Sequence, residues 1–278
     1  MMAMKTEYAF EEWLSEVERV EYSDYWNDES QDINKIWWVL DGNFSKMEEH
    51  LKTIHAVSQL NSCIEAARKH FHREFHGIGA DLAAGTLWAT PHLLASGAEK
   101  VYSIEYSRHR LLTVGPAVLE HYQVSPLSAV LVLGDFNRLN LADATLDFIF
   151  MSQAFHHSEK PRELLGEIKR VLKPDGIVIL TGEHIAEPGL IEYVRQPVRF
   201  LLAHWLPSAI QERLFGHRLQ ANGFWPGAGE VYSVDHVLGD HHYTNVQYKR
   251  LFTGAGFQYQ CLRDRSWHSQ AFVLIPSY

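Results

Sequence analysis

From about residue 76 onward the chain alternates short apolar runs with helix-length amphipathic segments, and few folds accommodate that order. The runs are GIGADLA, KVYSIE, AVLVLG, LDFIFM, GIVILTG and AFVLIP. Such a pattern indicates βαβ units, because a parallel sheet covered by helices on both faces buries its strands over their whole length. The expected architecture is an α/β fold with a doubly wound, mostly parallel sheet.

The helical segments carry recognisable ends. KPRELLGEIKRVLKPDG has Pro161 in its first turn and places Leu164, Leu165, Ile168, Val171 and Leu172 on one face. It is expected to stop at Pro174, Asp175 and Gly176. YTNVQYKRLFTGAGF opens on a capping-box pattern, Thr244 with Gln247, and closes at Gly254 and Gly256. Ser107 is a good N-cap for the segment after KVYSIE, which Gly115 and Pro116 should kink or split. Residues 1–75 read as helical, with charges mixed among aromatics, and form an N-terminal cap on a domain spanning 76–278. Within that domain about sixty residues, roughly 185–243, separate the fifth apolar run's strand from the capping-box helix, far more than a crossover needs. An insert of this length is expected to be a lid or substrate wall.

Charge and cysteine usage narrow the partners. There are 34 acidic against 25 basic residues, a formal charge of −9, and no run of Lys and Arg overrides it. Such a surface repels phosphate backbones and anionic membranes, so neither nucleic acid nor a membrane is expected as a partner. Two distant cysteines, Cys63 and Cys261, cannot build a disulfide framework and fit a reducing, cytoplasmic setting. The start, MMAMKTEYAFEEWL, lacks the apolar core of a signal peptide, and VRFLLAHWLPSAI is too short to span a bilayer and contains Pro207.

The first apolar run can be taken in two registers. GIGADLA formally matches the dinucleotide pattern G-x-G-x-x-A, but that fingerprint requires a strand before it and a helix after it. Here the polar segment ARKHFHREFH precedes the first glycine, so the register is wrong for a nicotinamide cofactor. If the strand is instead GIGADLA itself, Asp81 lies at its carboxyl end, Gly85 in the following turn, and a helix starts near Thr86. KVYSIE then ends on Glu105, where a carboxylate can accept from both hydroxyls of a ribose.

In that register the chain resembles the class I S-adenosylmethionine-dependent methyltransferases. The resemblance rests on DLAAGT, VYSIEYS, LGDF, ATLDFIFMSQAFHH and VLKPDGIVIL, in the family's order and spacing over roughly residues 76–182, with YKRLFTGAGF and two further strands extending it. It implies a seven-stranded Rossmann-like sheet with an N-terminal helical cap and an insert after the fifth strand. It also implies S-adenosylmethionine as methyl donor, S-adenosylhomocysteine as product, and a small-molecule acceptor. Carried over by position, Asp81 would contact the methionine amino group. The backbone of Ala83, Gly85 and Thr86 would face its carboxylate, and Glu105, with Tyr106 beside it, would hold the ribose. Asp135 and Phe136 would contact the adenine, with Met151 and Ser152 closing the far side. Aromatics of the cap, among them Tyr22, Tyr25, Trp26 and Trp37, would cover the cofactor. Two positions depart from the family, which often has glycine where this chain has Ala83 and Leu87. Ala83 adds one methyl at a position expected to have negative φ. Leu87 should point into the sheet if the cofactor is to have room.

Methyl transfer needs alignment and, for an oxygen or protonated nitrogen acceptor, a base. With 17 histidines in the chain, imidazole is the place to look, since its pKa suits proton removal near neutrality. His156 and His157 follow the fourth strand, and His184 follows the fifth. Asp240, His241 and His242 close the insert. Of these, His156, His157 and His241 are the candidate catalytic residues. For a metal, His70, His72 and His76 lie close in sequence and Asp240, His241 and His242 add a carboxylate and two imidazoles, yet solvated or core histidines are the default and no metal site is expected. Two rival functions remain: a catalytically silent S-adenosylmethionine-binding or regulatory subunit, and a nicotinamide-dependent oxidoreductase. The acceptor atom and the oligomeric state are not readable from the sequence.

Overall fold

The structure, a computed structural model, describes residues 7–14, 42–187, 198, 201–202, 205–215, 233–234 and 240–277. Its centre is a sheet of strands β1 (Ala9–Glu12), β2 (Gly77–Leu82), β3 (Ala98–Glu105), β4 (Ala129–Leu133), β5 (Leu146–Ser152), β6 (Leu172–Glu183), β9 (Phe257–Leu262) and β10 (Gln270–Pro276). A separate two-stranded ribbon pairs β7 (Ser233–Val234) with β8 (His241–His242). The helices are α1 (Phe44–Thr53), α2 (Ala56–Phe71), α3 (Ala89–Ala95), α4 (Gly115–His121), α5 (Pro161–Val171), α6 (Ser208–Phe215) and α7 (Asn245–Gly254).

The large sheet runs β1-β4-β3-β2-β5-β6-β10-β9. Strands β1 to β6 pair in parallel, while β10 is antiparallel to both β6 and β9. All six apolar runs are strands, so the Rossmann-like reading holds with one addition. The sheet has eight strands rather than seven, because Ala9–Glu12, in a region expected to be helical, extends the edge beside β4. The segment is short and half-polar, and an exposed edge accepts such a strand through backbone hydrogen bonds alone.

Side chains alternate across the sheet and separate two cores. Leu82, Ile104, Ile149, Met151, Val178 and Leu180 pack against α5 and α7 through Leu164, Leu165, Ile168, Leu251 and Phe252. Val101, Phe148, Phe150, Ile177 and Ile179 face the opposite layer, Leu60, Cys63 and Ala67 of α2 with Ala89 and Leu93 of α3. Gly79 is required by close approach, since a Cβ there would stand 2.4 Å from the Phe148 ring.

The capping box of α7 forms as expected, with Thr244 and Gln247 bonded reciprocally. Helix α5 stops at Val171, three residues before Pro174, because Leu172 already pairs with Leu146 in the sheet. The segment around Gly115 and Pro116 is split as expected: a π-helical turn, Arg110–Val114, leads into α4. No helix among the described residues is long and apolar enough to cross a membrane. Tyr22, Tyr25, Trp26 and Trp37 lie outside the described residues.

Candidate active site

Chain order defines where a ligand can sit. From β2 the chain steps outward through β3 and β4, then returns to place β5 on the other side of β2. The loops after β2 and β5 therefore diverge, leaving a crevice at the strands' carboxyl ends, the usual ligand position in open α/β sheets. Asp81 stands there, in register with Ser103 of β3 and Phe150 of β5 and only 2% exposed. Its Oδ2 is buried with no hydrogen-bond partner. Burial, and next the Glu105 carboxylate, push the Asp81 pKa well above the ordinary range. An ionisable group in this condition lacks a cationic partner.

Glu105 ends β3 and is also buried. Its Oε2 accepts from the Gly85 N–H and its Oε1 from the Ser107 N–H, both at 2.7 Å. Burial raises its pKa, opposed by Arg110 and by these backbone donors. The Tyr106 N–H is a third backbone donor to this carboxylate, which with two acceptor positions per oxygen retains one for a further donor.

The loop joining Asp81 to α3 bends through left-handed conformations at Ala83 (φ 56°), Gly85 (φ 56°) and Leu87 (φ 61°). The expectation of negative φ at Ala83 is thus wrong. The family's glycines fall at positions that need positive φ, and two are filled here by residues that adopt it at a cost of roughly 1–2 kcal/mol each. Helix α3 starts at Ala89, not near Thr86. Leu87 is fully buried and packs with Leu14, Ala84, Leu111, Leu119 and Leu131. A Cβ on Gly115 would stand 2.2 Å from Leu87 Cδ1, so the leucine occupies the space that a side chain at 115 would take.

The other expected cofactor residues lie along the same edge. Tyr106 follows Glu105 and packs against the core around Leu87. Asp135, beyond β4, accepts from the Asn137 backbone and side-chain amides at 2.9 and 2.8 Å. Phe136 is half-buried against the core. Met151 is fully buried, so only its backbone reaches the strand end, whereas Ser152 is half-exposed.

The carboxyl ends of β5 and β6 hold a second set of groups. The 3₁₀ turn Phe155–His157 follows β5, and the Asp240–His242 segment lies against it. Glu183, at the end of β6, is completely buried and accepts from four donors. These are the Ala154 and Phe155 N–H groups at 3.3 and 3.1 Å, His156 Nδ1 at 3.1 Å and the Tyr248 hydroxyl at 3.0 Å. Burial works against its charge, but His156 and the other donors outweigh burial and hold its pKa low. Burial likewise opposes the His156 imidazolium, and Glu183 outweighs it, raising the His156 pKa. At His157 burial dominates, with His156 adding to it, and the pKa falls to about 4. Burial, then His156, also lowers His184.

The rings of His156 and His157 are 4.4 Å apart, those of His156 and His184 5.6 Å. His157 Nδ1 lies 3.0 Å from Asp240 Oδ1. His241 Nδ1 donates to the His156 carbonyl at 3.1 Å, which leaves the lone pair on Nε2. All three candidate catalytic histidines therefore meet, although 84 residues separate His157 from His241 in the chain. The other histidine-rich segment is separate: His72 ends α2 in a left-handed conformation, so it shares no helix face with His76.

Beside this cluster is a cavity of about 150 Å³, lined by Ile54 and Gln59 near the start of α2 and by Ser152, Gln153, Thr181 and His184. The Thr181 Oγ1 is buried there without a partner. A larger cleft of about 450 Å³, bordered by Glu48, Lys52, His92 and Tyr122, carries none of the strand-end groups. Sequence reasoning missed Glu183, Tyr248, Thr181 and Gln59. The signal for Glu183 was present, an acid closing an apolar run just as Asp81 and Glu105 do.

Comparison with known proteins fits this geometry. Residues 80–180, which run from Asp81 through the loop and the histidine turn to β6, match the family described as "Methyltransferase domain". Over that segment the chain is similar to a methyltransferase domain, and its sheet has the fold of solved methyltransferases. A dimethylglycine N-methyltransferase from Parasynechococcus marenigrum (strain WH8102) is 28% identical over 127 residues, 44% of this chain and 42% of that protein. The chain thus spans less than half the length of that relative. Among solved structures, the complex of the Haloferax volcanii Trm112 methyltransferase activator with a methyltransferase matches with a TM-score of 0.52 at 15% identity. That match covers 87% of this chain and 96% of the other. An S-adenosylmethionine-dependent methyltransferase from Leishmania major also matches with a TM-score of 0.52, at 14% identity, over 80% and 72% of the two chains. At such identities the likeness concerns the fold of the methyltransferase domain.

Proposed function

We propose that the chain transfers a methyl group from S-adenosylmethionine to a small-molecule acceptor. The observation that carries the reading is Asp81, a carboxylate buried in the switch-point crevice with one oxygen unpartnered. A ligand bearing an ammonium group would satisfy it, and the methionine moiety bears one. The remaining acceptor position of Glu105 suits a hydroxyl of a ribose. Ala83 to Thr86 present backbone to a carboxylate, while Tyr106, Asp135, Phe136, Met151 and Ser152 line the remainder. S-adenosylmethionine supplies, when bound, an electrophilic methyl group on a sulfonium.

The protein's own contribution is alignment, exclusion of water and proton management. The acceptor would enter the cavity beside Ser152 and Thr181, whose unpartnered hydroxyl offers one directional contact. A volume of about 150 Å³ suits a molecule of only a few heavy atoms. A proton leaving the acceptor goes to the cluster of His156, His157 and His241. Most of the expected lid or substrate-wall insert, roughly 185–243, lies outside the described residues.

Titration calorimetry with S-adenosylhomocysteine tests the reading. Binding is expected, and Asp81→Asn and Glu105→Ala should each weaken it by roughly tenfold to a hundredfold, the loss of a charge-assisted hydrogen bond. No heat and no thermal stabilisation at millimolar ligand would sink it. The rival reading is a silent binding subunit. It predicts binding without turnover of any small-molecule pool.

A further inference from the structure

We infer that His156, His157 and Asp240 form a binding site for a divalent first-row transition ion of the zinc class. Among the described residues, these are the one set of three whose donor atoms all lie within 4.8 Å of one another. Two imidazoles and one carboxylate is a ligand set that binds Zn²⁺ or Fe²⁺ and leaves coordination positions open.

Three observations go beyond proximity. His157 Nδ1 and Asp240 Oδ1 are 3.0 Å apart, yet Asp240 Oδ1 is shielded from solvent and has no hydrogen-bond donor aligned on it. Two donors side by side and not directed at each other have the arrangement of two ligands facing a shared third group. Next, His156 is oriented by a buried carboxylate, Glu183, itself held by two backbone amides and the Tyr248 hydroxyl. A carboxylate behind a histidine is the usual outer support of a metal ligand: it fixes the tautomer and leaves the other ring nitrogen to coordinate. Finally, His241 Nδ1 bonds the His156 carbonyl, which ties the segment that carries Asp240 to the turn that carries both histidines.

The inference rests on the methyl-transfer reading only for its use. A cation there would lower the pKa of a hydroxyl or thiol brought to it.

The test is calorimetry and cobalt absorption on the full-length, untagged chain. One Zn²⁺ per chain is expected, and Co²⁺ should give the visible bands of a four- or five-coordinate site. His157→Ala and Asp240→Asn should each weaken binding by about tenfold to a hundredfold or more. His72→Ala should leave it unchanged, which separates the site from the other histidine-rich segment. Asp81→Asn should lose S-adenosylhomocysteine and keep the cation, so failure of one reading is not failure of the other. No binding, or binding indifferent to both His157→Ala and Asp240→Asn, overturns the inference. Circular dichroism of each variant separates lost ligation from lost fold.

Discussion

Two buried carboxylates stand at the carboxyl edge of one sheet, and their surroundings are opposite. Asp81, on β2, has an oxygen with no partner, and burial raises its pKa. Glu183, on β6, receives four hydrogen bonds, and its pKa is lowered despite complete burial. Burial penalises both charges alike, so local donors decide the difference. The satisfied acid belongs to the fold, orienting His156 and joining α7 to the sheet. The unsatisfied one has no donor on its Oδ2, and under the proposed function the ammonium group of the methyl donor would supply one. The difference shows that burial alone does not set the charge state of an acid; the inventory of donors does.

The largest test of this contrast is thermodynamic. Glu183→Ala removes a buried anion from His156 and its other donors, and should cost about 3–5 kcal/mol in chemical unfolding. Asp81→Asn, measured on the ligand-free protein, should cost nothing or stabilise, because burial without a counter-ion disfavours the ionised form that the amide cannot take. Equal losses at both positions would break the comparison.

A smaller effect sharpens the account of the Asp81 loop. By helix propensity alone Gly115→Ala should stabilise by about 1 kcal/mol. Because the new methyl would meet Leu87, it should instead destabilise by about 1–3 kcal/mol. In a Leu87→Ala background the same change should cost less, and a double-mutant cycle measures the coupling.

The smallest signal is a difference between two slopes. The folded-state pKa of Asp81 is raised, so the folded protein keeps a proton that the unfolded chain gives up from about pH 4. Asp81 is therefore neutral in its effect at lower pH, and stability falls as pH rises through the window up to its folded pKa. Asp81→Asn should remove that part of the slope, as should saturating S-adenosylhomocysteine, whose ammonium group would favour the ionised form. Unfolding midpoints from pH 4 to 7, with and without the substitution, check the sign.

How much of this was legible in the sequence divides along the same line. The six apolar runs, the capping box at Thr244 and the split at Gly115 are local signals, and each is realised in the fold. Asp81 and Glu105 were visible because an acid ending an apolar run is itself a local pattern. The strand Ala9–Glu12 was not, since an edge strand needs only backbone pairing and leaves little hydrophobic period to read. Nor was positive φ at Ala83, because its residue type argues against it. The histidine cluster lay between. His156, His157 and His241 were chosen for their places beside strand ends, but their meeting depends on the return of Asp240–His242 against the turn after β5. The buried acid beneath them has no sequence neighbour in the cluster except His184.

The fit of Leu87 against Gly115 has a historical consequence. With leucine at 87 a side chain at 115 clashes, whereas without it the nearest atom to a Cβ at 115 is the Arg110 carbonyl oxygen at 3.2 Å, a tight contact rather than a clash. Once both are in place, neither reverts cheaply: restoring glycine at 87 alone empties a filled core position, and enlarging 115 alone creates a clash. The two positions should therefore change together among descendants of this chain. A loop that looks like a degraded glycine motif is then an entrenched alternative, its missing glycine relocated to the helix beneath.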